Sequence, residues 1–286
     1  MRDVEIFEVG PRDGLQNEKR LIPAAEKIAL VDLLSTAGYR RIEVASFVSP
    51  KWVPQMADGA AVLSGIRRAP GISYAALAPN LKGYEAARSA RADEVAVFGS
   101  ASEGFSKANI NATIAESIER MKGVAAAAKA DGIPVRGYIS CVTDCPYDGP
   151  TPPAHVARVA AALRDMGCYE VSLGDTIGQG TPETIRAMLE AVMQELPAER
   201  LAGHYHDTAG RALDNIAASL ELGVRVFDAA VGGLGGCPYA PGAKGNVATE
   251  AAVAFLEEGG WRTGLDRTVI AEAAQMARNL RSPEAA

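Results

Sequence analysis

Histidine and cysteine are scarce in this 286-residue chain, at three and four residues, and only 6% of its residues are aromatic. Four cysteines at positions 141, 145, 168 and 237 are too few and too scattered for a disulfide framework, so reduced thiols and a cytoplasmic location are expected. Cys141 and Cys145 in CVTDC are separated by three residues, unlike a redox or zinc CxxC, and a disulfide between them is the lesser alternative. No apolar run approaches the roughly 18 residues of a membrane-spanning helix, and residues 1–10 lack the apolar core of a signal peptide. Basic charge is not in excess: 29 Lys and Arg face 35 Asp and Glu, with no basic run. That excludes a charge-driven nucleic-acid binder or membrane anchor.

With 48% hydrophobic and 22% charged residues, the chain can bury a large core and is neither disordered nor fibrous. Its length suits two domains of about 150 residues or one α/β barrel of about 250. Short β-branched runs at 4–9, 41–45, 73–77, 94–98, 135–140, 170–173, 201–206 and 225–229 alternate with helical patterns. Ala24, Ile28, Val31 and Leu34 form one apolar stripe; Val156, Val159 and Leu163, and Ile185, Met188 and Val192, form two more. Thr151-Pro152 and Thr181-Pro182 read as capping hydroxyls followed by a first-turn proline. Eight βα units point to a TIM barrel. A doubly wound sheet would usually show a Gly-rich dinucleotide turn after its first strand, whereas this chain has Pro11-Arg12-Asp13 there. With no linker composition along the chain, residues 1–286 read as one domain: a barrel core over about 4–262 and a C-terminal helical extension over 263–286.

In such a barrel the active site lies at the C-terminal strand ends, so polar residues there carry the functional reading. EVGPRDGLQNEK puts Arg12 and Asp13 just past the first strand, either facing a site or forming a solvated turn. In GHYHD, His204 and His206 are two apart and project to one face, a chelating spacing, although core histidines bonded to backbone have the same pattern. His155, near a helix start, reads as a surface residue. GGLGGCPYAPGAKGN has six glycines between Gly232 and Gly245, too irregular for a nucleotide loop and suited to unusual turns or close ligand approach. It carries Cys237, a thiol at a strand-end loop or a small buried filler, and ends at Asn246, a ligand or a helix N-cap. Asp13, His204, His206 and Asn246 together offer two oxygens and two imidazoles from neighbouring strand ends, a donor set suited to Mg²⁺ or Mn²⁺ with open positions.

The segments VGPRDGLQNEK, SFVSPKWVPQMAD, GDTIG, GHYHDT and GGLGGCPYAPGAKGNVATE resemble those of the 3-hydroxy-3-methylglutaryl-CoA lyase family over nearly the whole chain, from Glu5 to Glu258. The resemblance implies a metal-dependent TIM-barrel lyase, related to barrel synthases, aldolases and pyruvate carboxyltransferase-like domains. Such an enzyme splits hydroxymethylglutaryl-CoA into acetyl-CoA and acetoacetate, usually in leucine breakdown. By position it implies Asp13, His204, His206 and Asn246 as metal ligands, Arg12 as the substrate-polarising arginine and Cys237 as the catalytic acid, with Asp13 and His204 both open as the base. It implies Glu43, Asp175 and Glu250 as supporting acidic residues, with Glu43 and Asp175 orienting Arg12 and the ligands. Asn109, Asn111, Thr113 and Thr176 fall where the family holds the acyl carboxylate, and Lys19 is a phosphate or substrate neighbour. It also implies a homodimer. Thr143-Asp144 departs from the apolar residue and glycine common there, which would change the charge of a neighbouring loop and could alter acyl preference. Two alternatives stand beside this reading: a lyase for a longer 3-hydroxy-3-alkylglutaryl-CoA, and a non-catalytic metal-binding barrel.

Overall fold

The computed structural model describes residues 2–235 and 245–281. Eight parallel strands close into a barrel: β1 (Glu5–Glu8), β2 (Arg41–Ser46), β3 (Ser73–Leu77), β4 (Glu94–Ser100), β5 (Val135–Ser140), β6 (Glu170–Asp175), β7 (Leu201–Tyr205) and β8 (Val226–Ala229). Chain order is neighbour order all the way round, with β8 paired to β1 through Asp228 opposite Phe7 and Ala229 opposite Glu8. Each expected strand is present, most shifted by a residue or two at one end. Ten helices are described: α1 (Ala24–Leu34), α2 (Gly59–Gly65), α3 (Leu81–Ser89), α4 (Glu103–Ile110), α5 (Ile114–Asp131), α6 (Pro153–Asp165), α7 (Pro182–Val192), α8 (Ala212–Glu221), α9 (Thr249–Glu258) and α10 (Arg267–Arg281).

The apolar stripes pack where periodicity puts them. Leu30, Val31 and Leu34 of α1, Val156 and Leu163 of α6, and Ile185, Leu189 and Val192 of α7 are all fully buried in the shell between strands and helices. Thr181 caps α7 by accepting from the Thr184 amide, with Pro182 in the first turn. Thr151 does not cap α6. That helix begins one residue later than the Thr-Pro pair suggests, with Pro152 at its N-cap, because a second proline, Pro153, takes the first helical position. The C-terminal α10 lies along α1, burying Ile270, Ala273, Ala277 and Leu280, and the Asp266 amide bonds the Ala37 carbonyl.

The barrel interior is unusual in being charged. TIM-barrel lumens are commonly filled by branched aliphatics. Here Arg41 contacts Glu5 and Glu170, Arg136 contacts Glu170 and Asp228, and Asp228 contacts His204, in a series running toward the C-terminal mouth. No helix among the described residues is long and apolar enough to cross a membrane.

Candidate active site

Past β1 the chain enters a wide helical turn, Gly10–Gly14, in which the amides of Arg12, Asp13 and Gly14 all reach the Val9 carbonyl. This turn carries Arg12 back over the barrel. Its Nε lies 2.6 Å and its Nη2 2.5 Å from Glu43 Oε2, and its Nη1 lies 2.6 Å from Asp13 Oδ1. The guanidinium sits 5.5 Å over the Tyr138 ring, and the Tyr138 hydroxyl donates to the same Glu43 oxygen at 3.2 Å. Burial works against the Arg12 charge, but the carboxylates of Glu43 and Asp13 outweigh it and hold the proton more firmly than in a free arginine. Burial likewise opposes ionisation of Asp13, yet Arg12 and His204 hold its carboxyl down at about 2.

At the end of β7, His204 and His206 face the same way, ring centroids 5.4 Å apart, as residues two apart in a strand must. Nitrogens of both and a carboxylate oxygen of Asp13 lie within 4.8 Å of one another, a spacing that suits a shared cation. Burial and the neighbouring His204 push His206 down to about 4, so its ring is neutral at pH 7 and keeps a lone pair. Two buried polar atoms here, His206 Nδ1 and Glu43 Oε1, have no partner among the described residues. Orphaned acceptors beside an imidazole–carboxylate cluster fit a divalent cation and an oxygen-rich ligand.

Asn246 joins them through the backbone, pairing with His206 in an isolated bridge, and its Nδ2 donates to Asp13 Oδ2 at 2.8 Å and to the Leu234 carbonyl at 3.3 Å. As placed, the amide presents nitrogen to Asp13; a half-turn would present oxygen. It is not an N-cap, since α9 starts at Thr249 after Ala248. The Gly-rich segment does make unusual turns: Gly232, Gly233 and Gly235 all have positive φ, and a Cβ on Gly235 would sit 2.7 Å from Asn246 Nδ2. Cys237 lies outside the described residues.

Several other sequence candidates make local structural contacts. Asp175 does not orient Arg12 or the ligands. Even-numbered Ser172 on β6 bonds Asp228 inside the barrel, and alternation turns Asp175 away, where it accepts from Thr143 Oγ1, the Gln179 amide and the Gly180 amide. Thr143, the departure noted in CVTDC, is thereby absorbed into that loop. Thr176 Oγ1 accepts the Cys141 amide, Asn111 ends α4 in the left-handed region, and Thr113 caps α5 with Glu116. Asn109 and Lys19 are exposed. Glu250 accepts the Gly232 amide at 3.0 Å, fixing the start of the Gly-rich segment. Cys141 and Cys145 are buried free thiols. Sequence reasoning missed Asp228, Arg136 and Tyr138. The available signal was a charged residue in the middle of a short apolar strand, as in VRGYIS and VFDA.

These features define a class: a (β/α)8 barrel with a candidate divalent-cation site and a buried arginine at the C-terminal strand ends. Residues 3–277 match the HMGL-like family model, and the chain belongs to that family. It is 59% identical over 274 residues to the 3-hydroxy-3-isohexenylglutaryl-CoA/hydroxy-methylglutaryl-CoA lyase of Pseudomonas aeruginosa, covering 96% of this chain and 91% of that one. The structure resembles that of the HMG-CoA lyase from Brucella melitensis at TM-score 0.97 and 64% identity, covering 98% and 99% of the two chains. An HMG-CoA lyase from Acinetobacter baumannii in complex with coenzyme A and 3-methylmalate superposes at TM-score 0.93, with 37% identity and coverage of 98% and 91%.

Proposed function

We propose that the chain cleaves 3-hydroxy-3-methylglutaryl-CoA to acetyl-CoA and acetoacetate, a carbon–carbon lyase reaction of leucine breakdown. The observation that carries this reading is the buried Arg12 held at the rim of the Asp13–His204–His206 cluster. Asp13, His204, His206 and Asn246 would hold Mg²⁺ or Mn²⁺, which lowers the pKa of a hydroxyl it binds. Of the two bases that the resemblance leaves open, Asp13 has a second carboxylate oxygen with which to take the proton from the substrate's tertiary hydroxyl, whereas His204 could take it only through a ring nitrogen that the cation does not hold. The oxygen then becomes the ketone of acetoacetate as the C2–C3 bond breaks, and the bonding pair moves into a thioester enolate. Arg12, fixed by Glu43 and Asp13, faces the charge that develops on the thioester oxygen and stabilises it without reorganising. Protonation of the enolate carbon by Cys237 completes acetyl-CoA; this role rests on the sequence resemblance.

A second reading, cleavage of a longer 3-hydroxy-3-alkylglutaryl-CoA, is favoured by the double substrate name of the P. aeruginosa relative. One assay separates the two: acetyl-CoA release from hydroxymethylglutaryl-CoA and from the isohexenyl homologue, after chelation and again with Mg²⁺ or Mn²⁺ restored. Metal-dependent turnover of the methyl substrate is expected. Turnover of the longer substrate alone would replace the first reading by the second, and no turnover of either would overturn both and return the non-catalytic barrel. A cytoplasmic homodimer belongs to the same proposal, resting on family resemblance and on the free buried thiols.

A further inference from the structure

Behind His204 the barrel interior holds a group of side chains that does not reach the mouth. Arg136 on β5 and Asp228 on β8 are both buried, at 0% and 2% exposure. The guanidinium grips the carboxylate with two nitrogens, Nη2 at 2.7 Å from Oδ1 and Nη1 at 3.1 Å from Oδ2, while its Nε holds Glu170 Oε1 at 2.7 Å. The Ser172 hydroxyl donates to Asp228 Oδ2 at 2.7 Å, and His204 Nδ1 lies 3.1 Å from that same oxygen. His204 Nε2 faces the other way, 3.9 Å from Asp13 Oδ2. The neighbouring His206 has no such support, its Nδ1 being without a partner among the described residues.

A carboxylate that already accepts from an arginine and a hydroxyl has only acceptor capacity to offer a ring nitrogen. Nδ1 must then be the donor, and in a neutral imidazole the lone pair falls on Nε2, toward the site. Resting on the cation reading above, we propose that Asp228 is the positioning residue of His204: clamped by Arg136 and Ser172, it fixes the proton on Nδ1 and aims the Nε2 lone pair at the cation. The clamp is bidentate, so the carboxylate cannot swing away from the ring without breaking two charge-assisted hydrogen bonds. Carboxylate support of this kind also makes the ring a better donor, and its loss typically costs 10–100-fold in metal affinity. His206, whose Nδ1 has no partner among the described residues, has no such anchor for its ring.

The test reads the ring as well as the ion. In ¹⁵N-histidine NMR of the Mg²⁺-loaded protein only three rings appear, and His155→Gln removes the exposed one; His204 is expected to carry its proton on Nδ1 alone. Mn²⁺ titration followed by electron paramagnetic resonance should show Asp228→Asn, which keeps shape and an acceptor oxygen but not the charge, binding about 10–100-fold more weakly, and Asp228→Ala weaker still. A folded Asp228→Asn that binds Mn²⁺ like the unsubstituted chain overturns the inference alone. Where that variant does not fold, the unsubstituted ring decides, and a proton on Nε2 overturns it. An unsubstituted chain that binds no Mn²⁺ overturns the cation reading and this inference together.

Discussion

The inside of the barrel and the shell outside it are buried to the same degree and built from opposite materials. Between strands and helices the contacts are aliphatic, whereas along the axis they are ion pairs in series. Two carboxylates on adjacent strands condense the contrast. Glu8 and Asp228 lie one step apart in the β1–β8 register and point to opposite faces. Glu8, in the shell, accepts four neutral donors: the Gly10 and Val231 amides at 2.8 and 2.9 Å on one oxygen, and the Tyr39 and Thr249 hydroxyls at 2.9 and 2.7 Å on the other. Burial still pushes it up to about 7. Asp228 is equally buried, yet Arg136 and His204 hold it well below the usual carboxylate range. At Glu8 neutral dipoles satisfy the buried carboxyl without holding its pKa down, whereas at Asp228 opposite charges do both. The shell therefore supplies stability, and the interior supplies fixed charge to the site.

The largest effect should come from breaking the interior. Arg136→Met leaves Asp228 as a buried anion without its arginine and Glu170 with Arg41 alone, and denaturant unfolding should show a loss of about 3–5 kcal/mol. A loss under 1 kcal/mol would mean that the interior pairs are as dispensable as surface ones. At the mouth, Arg12→Gln should lower kcat by about 10²–10³-fold, the usual cost of one transition-state donor. Because Arg12 is a cation beside the Asp13–His204–His206 cluster, Mn²⁺ binding should not weaken in that variant. Weakened binding would show that Arg12 acts by building the cation site.

The shell is probed by Glu8→Gln and by pH. A carboxyl whose folded pKa is raised binds its proton more tightly in the native state, so its contribution is full below the unfolded value near 4.5 and is lost as pH rises through about 7. The unsubstituted chain should therefore lose stability relative to Glu8→Gln between pH 5 and 8, by something on the order of 3 kcal/mol. Urea midpoints of the two proteins at both pH values measure this. If the unsubstituted chain instead gains on the variant as pH rises, the four donors outweigh burial and the contrast between shell and interior disappears.

The fold was legible in the sequence because the shell is. β-Branched runs and apolar stripes at helical spacing report burial against an aliphatic layer, and eight such runs alternating with helical patterns leave little besides a barrel. The cluster was legible where chemistry and position coincide: Arg12 and Asp13 straight after a strand, His204 and His206 two apart at another strand's end. The interior was not. Arg136 and Asp228 lie 92 residues apart, and nothing local announces that closure of the barrel brings them together. Asp175 erred the other way, since an acidic residue at a strand end looks site-directed until strand alternation is known to turn it into its own loop.

The smallest expected effect tests where the interior's influence stops. Lys19 stands exposed beyond the turn that carries Arg12, with no ion pair among the described residues. An exposed cation facing an anionic substrate is worth about 0.2–1 kcal/mol, and salt screens it. Lys19→Met should therefore raise KM for an acyl-CoA by only about two- to five-fold and leave kcat unchanged, because an interaction formed equally with substrate and transition state does not alter the chemical step. The difference should shrink as ionic strength rises from 20 to about 300 mM, where the screening length falls below 10 Å. A fall in kcat that persists at high salt would place Lys19 with Arg12 in contact with the reacting atoms, and would extend the charged interior out to the rim.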